Sequence, residues 1–285
     1  MNVSSLAQRL DRCSINTATL GHRLPLGQTL ELIARTGFGQ VAPWRRDLQG
    51  QDLKQVRRQL RDCGLTVNAY CRSTYLPAAS REAFAAAVAD NRKALEEAAE
   101  LQAECFIMVV GGLAQGSRDL ADARQQVSEG IGWLLEDARR HGVALALEPL
   151  HPMYAADRSC LSTLEQALDL CEALEPGGFQ SLGVAIDAYH CWWDPKLAQQ
   201  VQRAGQQQRI LGLHLSDWLV PTRDLLLDRG MMGDGVIDLR GLRQGVEAAG
   251  YQGAIEVEIF SRDNWWQRPA EEVLRTCAER LQQNC

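Results

Sequence analysis

The sequence predicts an α/β protein built as a single-domain (β/α)8 TIM barrel over residues 1–285. Eight short runs rich in apolar and β-branched residues alternate with longer amphipathic segments. No linker, low-complexity run or shift in composition divides the chain. The last four apolar runs each end on an acidic residue or a histidine. An open doubly wound sheet, the competing architecture, would not explain those regular endings.

The predicted elements follow one another as strand and helix along the whole chain. In order, the strands cover residues 14–19, 39–44, 65–70, 105–110, 143–148, 183–187, 210–215 and 254–259. The helices cover residues 26–36, 53–63, 81–101, 120–141, 163–174, 239–249 and 270–281, with a short sixth helix at 195–205. Glycine precedes several strands at a position typical of a helix C-cap, as in "RHGVAL".

Composition and charge exclude several classes of protein. The chain is 46% hydrophobic and 23% charged, which is ordinary for a globular protein, and its net charge of -6 disfavours a nucleic-acid partner. No apolar stretch approaches the roughly 20 residues that span a bilayer, and the N-terminus lacks a signal-peptide pattern. We therefore expect a cytoplasmic protein without a membrane partner. The nine cysteines lack metal-site spacing and are expected to be reduced, buried thiols.

Four strand endings predict a metal site. The fifth to eighth strands end in Glu148, Asp187, His214 and Glu258. In a (β/α)8 barrel the carboxyl ends of the strands meet at one rim, so these side chains are expected to converge. Three carboxylates and an imidazole suit Mn²⁺, Mg²⁺ or Co²⁺, with Zn²⁺ as a further alternative. Glu256 faces the same way as Glu258, but Glu258 lies nearer the rim and is the predicted ligand.

Aromatic and basic residues beyond the strand ends are candidates for contacting a substrate. Six of the seven tryptophans lie there, where an indole can stack on a sugar ring or pack in a subunit interface. Arginines in the same region could bind a phosphate or carboxylate. The predicted substrate-binding residues are Trp44, His151, Trp192, Asp217, Trp218 and Arg229, and the further arginine candidates are Arg45, Arg46, Arg72 and Arg158.

The segments "EPLHP", "IDAYH", "LHLSD" and "GYQGAIEVEIFS" resemble signature segments of the xylose isomerase-like barrel superfamily. Its members include sugar and sugar-phosphate isomerases and epimerases, inosose dehydratases and endonuclease IV. The resemblance implies that Glu148, Asp187, His214 and Glu258 hold one divalent metal ion, with Mn²⁺ favoured. It also implies that the two glutamates exchange protons with the substrate and that His190 contacts the reacting oxygens. Family members are often dimers or tetramers, so a homo-oligomer is compatible with the resemblance.

The resemblance implies an enzyme of carbohydrate metabolism. The leading interpretation is a sugar or sugar-phosphate isomerase or epimerase that removes a proton next to a carbonyl and passes through an enediolate. The ketose 3-epimerase branch, however, has an arginine six residues after its metal-binding histidine, where this chain has Val220. A dehydratase or lyase acting on a keto-sugar or keto-cyclitol is therefore the alternative, favoured by the acid at Asp217.

Two interpretations from other classes fit less well. An endonuclease IV-type enzyme needs several additional histidines for a three-zinc cluster, and the chain has five in all. A non-catalytic sugar-binding protein would keep its ligand affinity after Glu148→Gln.

Overall fold

The computed structural model describes residues 9–285 and shows a closed barrel of parallel strands surrounded by helices. Its strands are β1 (Cys13–Asn16), β2 (Gln40–Ala42), β3 (Thr66–Val67), β4 (Ala69–Tyr70), β5 (Cys105–Met108), β6 (Ala144–Leu147), β7 (Leu182–Asp187), β8 (Ile210–Leu215) and β9 (Ile255–Val257). They pair in the order β3-β2-β1-β9-β8-β7-β6-β5-β4. Because β3 and β4 are two pieces of one predicted strand, the pairing closes on itself. The predicted fold class is confirmed.

Helices cover the outside of the barrel between successive strands. They are α1 (Leu26–Arg35), α2 (Arg45–Leu48), α3 (Leu53–Asp62), α4 (Arg81–Glu100), α5 (Leu120–His141), α6 (Leu164–Leu174), α7 (Ala188–Cys191), α8 (Leu197–Gln206), α9 (Leu239–Ala248) and α10 (Ala270–Asn284). The side chains of Ser80, Asp119 and Thr163 accept hydrogen bonds from amides in the first turns of α4, α5 and α6. None of the described helices is long and apolar enough to cross a membrane.

Polar side chains interrupt two of the predicted strands. β1 ends at Asn16, whose side chain accepts a hydrogen bond from the amide of Ala18 and begins the 3-10 helix Thr17–Leu20. The third predicted strand is divided at Asn68, which is buried and bonds to Glu256 inside the barrel. Both interruptions therefore place an amide side chain close to the carboxyl ends of the strands.

The apolar core has two parts of different character. Large aliphatic and aromatic side chains fill the space between the strands and the helices. Mostly small residues form the second part, which comprises Ala42, Ala69, Cys71, Cys105, Ile107, Ala146 and Ala185. Small side chains there leave room for the longer polar groups of the site. Eight of the nine cysteines are buried, as expected for thiols that serve as small apolar side chains.

Candidate active site

The four residues predicted from the strand endings lie together at the carboxyl rim of the barrel. One ligand atom from each of Glu148, Asp187, His214 and Glu258 lies within 4.8 Å of the others, and all four side chains are buried. The strand register accounts for this arrangement, because Asp187 lies opposite His214 and His214 lies opposite Glu256. The topology therefore brings together residues that are far apart in the sequence.

The electrostatics of this cluster fit a divalent cation. Burial raises the pKa of Glu258 to about 8, and the nearby Glu148 carboxylate adds to the shift although Arg229 opposes it. Burial lowers the pKa of His214, but the surrounding glutamates outweigh that effect and hold it well above its usual range. The shift at His214 reports the negative charge crowded around it, whereas the shift at Glu258 is due mainly to burial. The buried Nε2 of His214 also has no hydrogen-bond partner among residues 9–285. Three carboxylates and an imidazole are a donor set that hard divalent ions accept.

Arg229 lies inside the acidic cluster. Its Nη1 donates to Asp187 Oδ2 and to Glu258 Oε2, both at 3.1 Å. The guanidinium carbon lies 4.6 Å from the ring centre of Tyr189 and 4.5 Å from that of Phe260. The residue is 2% exposed, so the protein itself supplies one buried positive charge to the site.

His190 faces hydrogen-bond donors at both ring nitrogens. Arg229 Nη2 lies 2.9 Å from its Nε2, and the amide nitrogen of His151 lies 3.3 Å from its Nδ1. Burial lowers the pKa of His190 to about 3, although Asp187 opposes that shift. A neutral imidazole has one N–H and one lone pair, so it can accept only one of the two bonds. His190 is therefore a neutral hydrogen-bond acceptor beside the cluster.

A buried polar layer beneath the cluster orients Glu258. The Nδ2 atom of Asn16 donates to Glu256 Oε1 at 2.8 Å and to Glu258 Oε1 at 2.9 Å. Trp44 Nε1 donates to the side-chain oxygen Oδ1 of Asn16 at 2.7 Å, and Asn68 Nδ2 donates to Glu256 Oε2 at 2.6 Å. Sequence reasoning missed both asparagines as site residues. The signal was a polar residue inside each of the apolar runs "SINTAT" and "LTVNAY".

A cavity of about 50 Å³ opens beside the cluster, and Glu148, His190 and Glu258 line it. Two of the predicted substrate-binding residues, Trp44 and Arg229, also line it. The structure adds lining residues that the prediction did not include, because they lie on loops without a recognisable motif. They include Tyr75, Tyr154, Leu226 and Phe260.

Asp217 differs from its predicted role in substrate binding. Its Oδ2 accepts hydrogen bonds from the amides of Gly233 and Gly235, both at 2.9 Å. Its Oδ1 accepts from the amide of Ile237 at 3.0 Å, and the residue is 1% exposed. Because backbone amides donate to both of its carboxylate oxygens, Asp217 stabilises the loop after β8, and neither oxygen is left to accept a hydrogen bond from a substrate.

The other three predicted substrate-binding residues form an aromatic cluster to one side of the cavity. The Trp218 ring stacks on His151 with the ring centres 5.0 Å apart, and Trp192 lies 5.8 Å from Trp218. None of the three lines the 50 Å³ cavity. Trp192 instead borders a groove between α8 and α9 on the outside of the barrel. Their contacts support the rim loops in this arrangement.

Comparisons with known proteins agree with this fold. The family profile described as xylose isomerase-like TIM barrel matches residues 30–283. A solved structure from Sinorhizobium meliloti 1021 is 51% identical, with a TM-score of 0.93, and covers 97% of this chain and 99% of that one. The inosose isomerase of Halalkalibacterium halodurans is 29% identical over 153 residues, which are 51% of this chain and 49% of that protein.

A second curated relative matches more of this chain. The 3-dehydroshikimate dehydratase of Pseudomonas aeruginosa is 26% identical over 257 residues, which are 87% of this chain but 38% of that protein. The chain therefore spans half or less of the length of these two curated relatives.

Proposed function

This chain belongs to the xylose isomerase-like TIM barrel family, and from that premise we propose that it is a metal-dependent isomerase or epimerase of a sugar-like ketone. The observation that carries the proposal is the buried cluster of Glu148, Asp187, His214 and Glu258, with ligand atoms within 4.8 Å of one another. These residues would hold one divalent ion, Mn²⁺ in the first place, with Mg²⁺, Co²⁺ and Zn²⁺ as alternatives. Such an ion would polarise the substrate carbonyl and acidify the neighbouring C–H bond.

Glu148 and Glu258 are the proposed acid–base pair. They follow β6 and β9, which two strands separate in the sheet, so the two carboxylates reach the cluster from different sides. One carboxylate removes the proton next to the carbonyl, and either of them returns it. Return to the same carbon from the opposite face inverts that carbon, whereas return to the adjacent carbon moves the carbonyl.

Neighbouring side chains hold this pair in place. His214 Nδ1 lies 2.9 Å from Glu148 Oε1, and Asn16 donates to Glu258 Oε1 at 2.9 Å. Both bonds restrict the carboxylates to orientations that face the cavity. We assign His190, which lines the cavity, to contact with the substrate oxygens.

A dehydratase is the second candidate, and the match to a 3-dehydroshikimate dehydratase over 87% of this chain favours it. The first step is the same proton removal. The intermediate then expels a β-hydroxyl group, which leaves as water after protonation by one of the carboxylic acids. Product identity, and not the first step, separates the two reactions.

The test is solvent deuterium exchange, followed by NMR, with a panel of ketoses, inososes and 3-dehydroshikimate in the presence of Mn²⁺ or Mg²⁺. We expect metal-dependent exchange at a carbon next to the carbonyl. Glu148→Gln and Glu258→Gln should each reduce exchange at least 100-fold, a typical loss for a general base. Glu165→Gln, which changes an exposed partner of Lys196, is the matched control. Wild-type exchange in either site variant with metal bound would refute the two-carboxylate mechanism.

A further inference from the structure

Two arginines in the cavity lack an acidic partner close by. Arg72 and Arg158 both line the 50 Å³ cavity beside the acidic cluster. Within residues 9–285, no carboxylate oxygen lies within 4.0 Å of the Arg72 guanidinium. Arg158 has one at the 4.0 Å limit, from Asp157, whose side chain is 66% exposed to solvent. An exposed contact at that distance neutralises little charge.

Three other arginines at the same rim are neutralised by the protein. Arg45 donates to Asp90 at 2.7 Å and to Glu97 at 3.0 Å. Arg223 donates to Asp228 at 2.7 Å. Arg229, described above, is bonded to two carboxylates of the cluster. The cavity therefore combines one neutralised guanidinium with two whose charge remains available.

Aromatic rings orient both available guanidinium groups. The Arg72 guanidinium carbon lies 4.8 Å from the ring centre of Tyr75, and that of Arg158 lies 5.6 Å from the ring centre of Tyr154. Such contacts fix the plane of a guanidinium group without removing its charge. All four side chains line the same cavity. Gly111 lies between the segments that carry Tyr75 and Arg158. The Gly111 amide donates to the Arg158 carbonyl, and a Cβ atom at Gly111 would lie 2.8 Å from Tyr75 Cβ.

We propose that Arg72 and Arg158 form a subsite for an anionic group of the substrate, either a carboxylate or a phosphate. This inference rests on the proposed function, since the anion belongs to the molecule whose carbonyl reaches the acidic cluster. Two oriented guanidinium groups in a partly desolvated cavity form strong, charge-assisted hydrogen bonds with such a group. The substrate class is then an acidic or phosphorylated keto-compound and not a neutral ketose or inosose.

Binding of unreactive ligand pairs to the Mn²⁺-loaded full chain, measured by isothermal titration calorimetry, tests this subsite. Shikimate and its methyl ester differ in one carboxylate, and glucitol 6-phosphate and glucitol differ in one phosphate. We expect at least one anion to bind about 10-fold more tightly than its neutral counterpart. The pair that shows this preference identifies the anion as a carboxylate or a phosphate.

Variants show whether the preference depends on the two arginines. Arg72→Gln and Arg158→Gln should each abolish the 10-fold preference and leave the neutral ligand unaffected, whereas Arg72→Lys should retain part of it. Arg58→Gln removes the same charge from an exposed position on α3, away from the cavity, and should have no effect. Equal binding of both members of each pair, no binding by either anion, or an equal effect of Arg58→Gln would overturn the proposal.

The outcome is independent of the proposed reaction, because these ligands have no ketone and do not turn over. An anion preference without deuterium exchange would refute the proposed function and leave the subsite standing. Exchange with neutral ketones alone, and no anion preference, would refute the subsite and leave the function standing.

Discussion

Replacing Arg229 by methionine should destabilise the metal-free protein far more than the metal-loaded protein. The guanidinium is 2% exposed and donates to Asp187 and Glu258 at 3.1 Å. Removing one partner of a buried ion pair costs about 3–5 kcal/mol, because the remaining charges lose their compensation. For a chain of this size, about 2 °C of melting temperature corresponds to each kcal/mol. We therefore expect a fall of about 6–10 °C in EDTA.

A bound divalent ion should offset much of that loss, since it supplies positive charge to the same carboxylates. At a metal concentration 100 times the dissociation constant, binding adds about 2.7 kcal/mol of stability. Removing Arg229 also removes a competing cation, so the variant should bind Mn²⁺ more tightly than the wild type does. The assay is thermal unfolding by circular dichroism in EDTA and in saturating Mn²⁺, together with metal titration by calorimetry.

Arg209→Met is the matched control for this experiment. Arg209 is also buried, at 1% exposed, but it bonds to Glu175 and to the carbonyl of Leu182 away from the metal ligands. Its variant should lose stability equally with and without Mn²⁺. If the loss in Arg229→Met is also independent of metal, then Arg229 acts by packing between its two aromatic neighbours, and the charge argument is refuted.

Two further substitutions test a structural acid and the polar layer. Burial alone raises the pKa of Glu175, but bonds from Arg139 and nearby groups lower it from 4.5 to about 2. The ionised carboxylate therefore stabilises the folded protein above pH 4.5, and this stabilisation is lost as the pH falls through 2. Glu175→Gln should lower the free energy of unfolding by about 3 kcal/mol at pH 7 and by progressively less from pH 5 to 2, measured by urea unfolding. Glu256 lies beneath the proposed metal ligands. Its carboxylate is 3.8 Å from His214 Nε2 and accepts a hydrogen bond from Asn68, so it helps to orient the His214 ring. Glu256→Gln should weaken Mn²⁺ binding about 10-fold in calorimetry with an unchanged fold, and unchanged affinity would contradict that role.

The fold could be predicted because its signals are local. Each strand is a short apolar run and each helix an amphipathic segment, so periodicity along the chain predicts both. The predicted strand boundaries were wrong where the hydrogen bonds of one polar side chain interrupt an apolar run, as at Asn16 and Asn68. The sequence around an asparagine in an apolar run does not indicate which residue its side chain will bond to. Both asparagines donate to Glu256, which lies about 190 to 240 positions further along the chain.

The acidic cluster at the strand ends was also predictable, whereas the contacts made by the rim loops were not. Strand ends converge in any (β/α)8 barrel, so Glu148, Asp187, His214 and Glu258 could be grouped without knowing the loops. Substrate contacts depend on the path of each rim loop, which periodicity does not determine. Trp192 consequently lies against an outer groove although it follows a strand end in the sequence.

The loop after β8 combines a departure from the epimerase pattern with an arginine that enters the site. Val220 occupies the place of an expected arginine and is 71% exposed. Asp217 is paired with Gly230 through two backbone bonds of 2.9 and 2.8 Å, and its carboxylate fastens the following turn. That pairing turns the loop back over the rim and carries the adjacent Arg229 into the acidic cluster. A guanidinium therefore reaches the site from this loop although position 220 is a valine, so the missing arginine alone does not separate a dehydratase from an epimerase. The choice between them depends on the fate of the shared intermediate, which the product analysis measures directly.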